Sequence, residues 1–257
     1  MVQNTLSQLA ASLLNGHIEV VDLSAVLGPN TPIIELPASM GKNTPKVEIN
    51  TISAYDESGK DWAWNWLILG EHSGTHFDAP SHWISGKDHP DGTTDTLDLG
   101  HCIGMVNVID CSKESAENPD FLLTEAHIRA WEAEHGEIGA GEWVVMRTDW
   151  HKRNHSAEEF LNMGRNPGPA ADAVQYLVAK DVLGWGAETI GTDAGQGGKL
   201  TPPLPAHNLF HSANKFGLAS LSNLDKLPPR GAVLVASPLK IQGGSGSPIR
   251  AFALVQR

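Results

Sequence analysis

The sequence predicts a single mixed α/β domain, with one or more mixed sheets and flanking helices, over residues 1–257. Three observations predict it. Short β-rich runs bounded by turn residues outnumber the helical segments. Those segments do not alternate strictly with the runs, so a doubly wound dinucleotide-binding sheet is not expected. No Pro/Gly/Ser-rich linker, internal repeat or charge run divides the chain.

In chain order, the N-terminal stretch through Gly16 has the periodicity of a short amphipathic helix ended by that glycine. Strands are expected at HIEVVDLS (17–24), MVNVIDCS (105–112), EWVVMRTD (142–149), ETIGTDA (188–194), GAVLVAS (231–237) and IRAFALVQ (249–256). LLTEAHIRAWEAEHG (122–136) reads as a helix, with Thr124 as N-cap and a glycine at its end. PAADAVQYLVAKDVLGWG (169–186) reads as a second, with Pro169 in its first turn and a stop near Gly184. GGSGSP (243–248) reads as a flexible loop between two late strands. GTDAGQGGK (191–199) misses both phosphate-loop spacings, so no nucleotide site is assigned to it.

A formal charge of −12 leaves no basic patch to displace counterions from phosphates, which excludes nucleic acid as a partner. It also disfavours an anionic membrane surface, and no apolar run approaches the ~20 residues that span a bilayer. The N-terminus has no basic residue ahead of its apolar stretch and does not read as a secretory signal. Cys102 and Cys111 match no zinc spacing and are expected as free thiols, with the cytoplasm as the expected compartment.

Chemistry concentrates in EHSGTHFDAPSHW, Glu71 to Trp83. Gly70, Gly74 and Pro80 disfavour a helix, and H-E-x-x-H is absent. In an extended chain His76 and Asp78 share a face, with Cα atoms roughly 6–7 Å apart, within reach of one cation. His72 would lie about 13 Å from His76 along a straight strand. A bend or bulge at Gly74 brings it back, and Pro80 turns the chain toward His82. Two imidazoles and one carboxylate leave positions open on Zn²⁺, Mn²⁺ or Fe²⁺, and open positions mark catalytic sites. Just upstream, DWAWNW (61–66) sets Trp62, Trp64 and Trp66 at period two on one strand face. They are candidate walls for an aromatic substrate, with Phe77 and Trp83 as further candidates.

HSGTHFDAPSHW resembles the H-x-G-T-H-x-D-x-P-x-H signature of the metal-dependent cyclase family, which includes kynurenine formamidase and isatin hydrolase. The match is complete at His72, Gly74, Thr75, His76, Asp78, Pro80 and His82. It extends through VDLSAVLGPNTP, VVMRTDW, ETIGTDA and PAHNLFHSANKFGLASLSNLDKLP. The resemblance implies a swivelling β/β/α fold, a homodimer or homotetramer with sites near subunit boundaries, and hydrolysis of an amide-type C–N bond. Formamidases of the family hold a second metal through the motif aspartate, a later histidine and a glutamate. His207 matches the later histidine, and the glutamate position falls on Ser220. A hydroxyl is a poorer ligand than a carboxylate. The chain therefore resembles the one-metal isatin hydrolase branch, with Mn²⁺ as the implied ion and Zn²⁺ as the alternative. Ser220 becomes a candidate for gating or for a proton path.

The resulting expectation is metal-assisted hydrolysis. His72, His76 and Asp78 hold one divalent cation, and His82 is the general base or hydrogen-bond director to water. His207 passes a proton to the departing nitrogen, and His211 is structural or peripheral. Isatin, planar and with adjacent carbonyls, suits such a site. An aromatic formamide such as N-formylkynurenine is the alternative substrate.

Overall fold

The structure is a computed structural model, and it describes residues 4–36 and 41–257. Strands β1 (Ile18–Asp22), β2 (Glu48–Asp56), β3 (Gly59–Ile68), β4 (His76–Asp78) and β5 (Ile103–Asp110) come first. They are followed by β6 (Leu122–Leu123), β7 (Trp143–Arg147), β8 (Gly168–Pro169) and β9 (Gly184–Ala187). The last four are β10 (Phe216–Ala219), β11 (Ala232–Val235), β12 (Gly246–Pro248) and β13 (Phe252–Gln256). The α-helices are α1 (Thr5–Leu14), α2 (Ser112–Glu117), α3 (Glu125–His135), α4 (Ala157–Leu161) and α5 (Ala171–Ala179).

Nine strands form one mixed sheet in the order β1-β13-β11-β5-β7-β9-β10-β4-β12. The middle strands β5, β7, β9 and β10 are parallel, and both flanks are antiparallel. Connections between the parallel strands need crossovers, and α3 and α5 occur in two of them. Both helices contribute to a core with Ile109, Val144, Met146 and Trp185 on one sheet face. A second core joins Val21 and Ala253 from one end of the sheet to Phe77 and Leu218 near the other. A bridge from Ser24 to Leu221 ties the same two ends, so the sheet curls upon itself.

The mixed α/β class is as predicted. The strand expected at 188–194 lies earlier, at Gly184–Ala187, inside the stretch read as the tail of a helix. The helix stops at Ala179. The strand was hidden because its glycine permits close packing rather than advertising β propensity. A Cβ on Gly184 would lie 2.4 Å from the Phe216 carbonyl oxygen. The 243–248 segment is likewise not a free loop, since Gly246–Pro248 pairs with β4. Cys102 and Cys111 are buried free thiols, as expected. Among the described residues no helix is long and apolar enough to cross a membrane.

Candidate metal centre

Gly74 adopts φ +62°, a conformation that costs little only for glycine, and reverses the chain between His72 and His76. His76 and Asp78 then lie on β4, paired with β10 on one side and β12 on the other. Pro80 opens a 3-10 turn, Pro80–His82, which brings His82 back over His72. The intervening Phe77 faces the opposite way, as strand alternation requires. Its ring is fully buried, 5.3 Å from that of Phe216 and 6.5 Å from that of Trp143. Phe77 is therefore a core residue, and the expectation that it contacts substrate is corrected.

The hydrogen bonds fix the tautomers. Nδ1 of His76 lies 2.7 Å from the Gly74 carbonyl, an acceptor only, so it carries the proton and donates. Nε2 is left with its lone pair 3.3 Å from Asp78 Oδ1. Nε2 of His72 lies 3.0 Å from Ser245 Oγ. That hydroxyl donates its hydrogen to Glu71 Oε2 at 2.7 Å, so it accepts from His72. Nδ1 of His72 consequently turns a lone pair toward Asp78 Oδ1 at 2.8 Å. Asp78 itself is buried. Two imidazole nitrogens and one carboxylate oxygen thus converge, a cluster that a shared proton or a divalent cation can hold together. The donor set fits a divalent metal.

His82 enters the cluster as well. One ligand atom from each of His72, Asp78 and His82 lies within 4.8 Å of the others. Ring orientation separates the roles. An ion about 2.1 Å from an imidazole nitrogen must lie near that ring's plane. His72 and His76 stand edge-on at 89°, so their planes cross close by. His72 and His82 are instead stacked, with ring centroids 3.8 Å apart and 29° between planes. His72, Asp78 and His82 form a group that could hold a metal ion, and His82 lies on the face of His72 beside the atoms that converge on Asp78. Burial, foremost, pushes its pKa down to about 3, so it is a neutral hydrogen-bonding group near neutral pH.

His207 stands next to it, its ring 5.4 Å from His82 and 4.8 Å from Trp83. It lies in a single π-turn, Ala206–Phe210, following the segment that carries Asp193. Asp193 accepts from His207 Nδ1 at 2.6 Å and from the backbone N–H groups of Ala206 and His207. Burial lowers the His207 pKa, and the Asp193 hydrogen bond and charge outweigh it, so the net shift is upward. Asp193 escaped sequence reading because it sits in the glycine-rich 191–199 stretch, weighed there only as a phosphate loop. His211 is buried and bonds the Lys215 carbonyl through Nδ1, while burial holds it at about 4.

Ser220 is buried beside the motif, and its carbonyl accepts from Thr75 Oγ1 at 2.6 Å. It lines a cavity of about 590 Å³ together with Gly74 and Thr31. A second cavity, about 430 Å³, opens onto His207 and Asp193, with Ile34, Ile190 and Leu204 in its walls. Trp83 lies beside His82 and His207, with ring centroids 6.2 Å and 4.8 Å away. Trp62, Trp64 and Trp66 share a strand, but that strand is in a separate hairpin, β2–β3. Each is half exposed, at 51%, 56% and 50%. Sequence adjacency to the motif does not carry through space, because the hairpin stands apart from the nine-stranded sheet.

Residues 21–194 match the family model described as "Putative cyclase". The chain belongs to the cyclase family. Within it, isatin hydrolase from Roseibium aggregatum is 64% identical over 99% of this chain and 98% of its own length. A crystal structure of an isatin hydrolase bound to the product analogue thioisatinate superposes with TM-score 0.98 at 64% identity, over 100% of both chains. Isatin hydrolase A from Ralstonia solanacearum superposes with TM-score 0.96 at 48% identity, over 99% of this chain and 98% of that one. Kynurenine formamidase from Bacillus cereus is a more distant cyclase relative, 31% identical over 72% of this chain and 77% of its own.

Proposed function

We propose that this protein is a metal-dependent amidohydrolase that opens the lactam C–N bond of isatin to give isatinate. The observation that carries the proposal is the convergence of His72 Nδ1 and His76 Nε2 on Asp78 Oδ1, in a chain 64% identical to an isatin hydrolase throughout its length. His72, His76 and Asp78 would hold one divalent cation, with Mn²⁺ proposed and Zn²⁺ as the alternative. Such a cation supplies Lewis acidity toward a carbonyl and lowers the pKa of water from ~15.7 toward neutrality.

The protein's own groups do the rest. Water adds to the lactam carbonyl carbon, the C–N bond breaks, and the nitrogen gains a proton as the acid forms. His82, neutral and stacked on His72, would orient the attacking water. His207 delivers the proton to the nitrogen, and Asp193 holds its Nδ1–H so that Nε2 is the working atom. Trp83 and the apolar walls Ile190 and Leu204 suit a flat aromatic ring. The exposed Trp62, Trp64 and Trp66 are the best support for a homodimer or homotetramer, since a second copy would cover them. A cytoplasmic location completes the proposal.

Metal-free protein should be inactive on isatin and regain turnover with one Mn²⁺ per chain, followed by loss of the isatin absorbance and by metal analysis. Ser220 stands where a second ion would need a carboxylate, so Ser220→Glu should raise the count. Two tightly held ions in the wild type would contradict the one-metal reading.

A further inference from the structure

The glycine- and serine-rich segment 243–248, which the sequence pattern reads as a flexible loop, is anchored almost residue by residue. Gly243 N–H donates to Asp95, the Gly244 carbonyl accepts from Thr94 N–H, and the Ser245 carbonyl accepts from Ala79 N–H. Gly246 pairs with Asp78. A Cβ at 246 would lie 2.3 Å from His72 Cε1 and 2.9 Å from its Nδ1, so the imidazole occupies the space a side chain would take. Glu71 closes the other side, accepting from both Ser245 N–H at 3.1 Å and Ser245 Oγ–H at 2.7 Å.

We propose that Glu71 and Ser245 are positioning residues that select the tautomer of His72 and so make it a metal ligand. A serine hydroxyl can donate or accept, and alone it does not choose. The Glu71 carboxylate takes its one hydrogen, which commits Oγ to accept from His72 Nε2–H at 3.0 Å. Nδ1 is then free of a proton and aimed at Asp78 Oδ1. His76 receives the same service from the Gly74 carbonyl. Without Glu71, Ser245 can turn and donate to Nε2, favouring the Nδ1–H form, which cannot bind a metal through that atom. Outer partners of this kind are worth roughly 10- to 100-fold in metal affinity.

The inference rests on the metal centre proposed above, and a Mn²⁺ titration of metal-free full-length protein by calorimetry separates the two. Wild type should bind and His76→Ala should not; a wild type that binds no Mn²⁺ overturns the centre and the inference together. Given that binding, Glu71→Ala should weaken it about 10- to 100-fold. The same substitution in a Ser245→Ala background should add almost nothing, because the carboxylate acts through the hydroxyl. Glu71→Gln, whose amide oxygen still accepts from Ser245, should recover most of the loss. If Glu71→Ala costs as much without the serine as with it, or Glu71→Gln is as weak as Glu71→Ala, Glu71 acts by charge alone and the proposal is wrong. Unchanged affinity in Glu71→Ala overturns it equally. Should Glu71→Ala not fold, Glu71→Leu, which also removes the acceptor, measured with and without Ser245→Ala makes the same decision.

Discussion

Asp78→Ala is expected to strip the protein of tightly bound metal and of nearly all turnover. Asp78 Oδ1 is the atom on which both ligating imidazoles converge, 2.8 Å from His72 Nδ1 and 3.3 Å from His76 Nε2. Removing it takes away the only negative charge among the three proposed ligands. The cost should exceed the roughly 10- to 100-fold that follows loss of an outer hydrogen-bond partner. His72→Ala and His76→Ala should behave alike. His82→Ala should keep the ion and lose turnover, because its ring is stacked on His72 rather than set edge-on to it. Metal analysis after gel filtration reads all four variants. Full retention in His76→Ala would sink the proposed ligand set, and loss of metal in His82→Ala would make His82 a ligand.

Asp193→Asn should lower kcat by roughly 10²- to 10⁴-fold, the span that general acid–base groups contribute, with metal content unchanged. An asparagine oxygen can still accept from the Ala206 N–H, so the π-turn stays anchored. Its amide NH₂ would then face His207 Nδ1, reverse the tautomer and leave Nε2 protonated without a charged partner to stabilise the imidazolium. Asp193→Asn with wild-type kcat would remove His207 from proton transfer.

The sequence made some of this legible and concealed the rest for physical reasons. The motif Glu71–Trp83 declared its own geometry: alternation placed His76 and Asp78 on one face, and Gly74 and Pro80 marked the two turns. The same alternation should have excluded Phe77, which belongs to the core. Strands rich in Val and Ile, such as Ile103–Asp110, could be read, whereas Gly184–Ala187 could not, since Gly184 serves close contact with Trp143 and Phe216 and Gly186 with Val145 and Leu221. Asp193 and Ser245 lie in glycine-rich stretches far from the motif in sequence. Local pattern has no way to report that the turn before His207 brings Asp193 to it, or that pairing of β12 with β4 brings Ser245 to His72. The tryptophan stripe was read correctly as a strand face, but its strand belongs to a separate two-stranded sheet and not to the sheet that carries the motif.

The most direct test of the account compares two substrates on the Mn²⁺-loaded enzyme, isatin and N-formylkynurenine, by kcat/KM. A planar lactam needs one cation at its carbonyl, and His207 and Trp83 border the space where its ring would lie. Isatin should be converted to isatinate, with loss of its absorbance, and N-formylkynurenine should be hydrolysed much more slowly. A higher kcat/KM for N-formylkynurenine would contradict the isatin assignment.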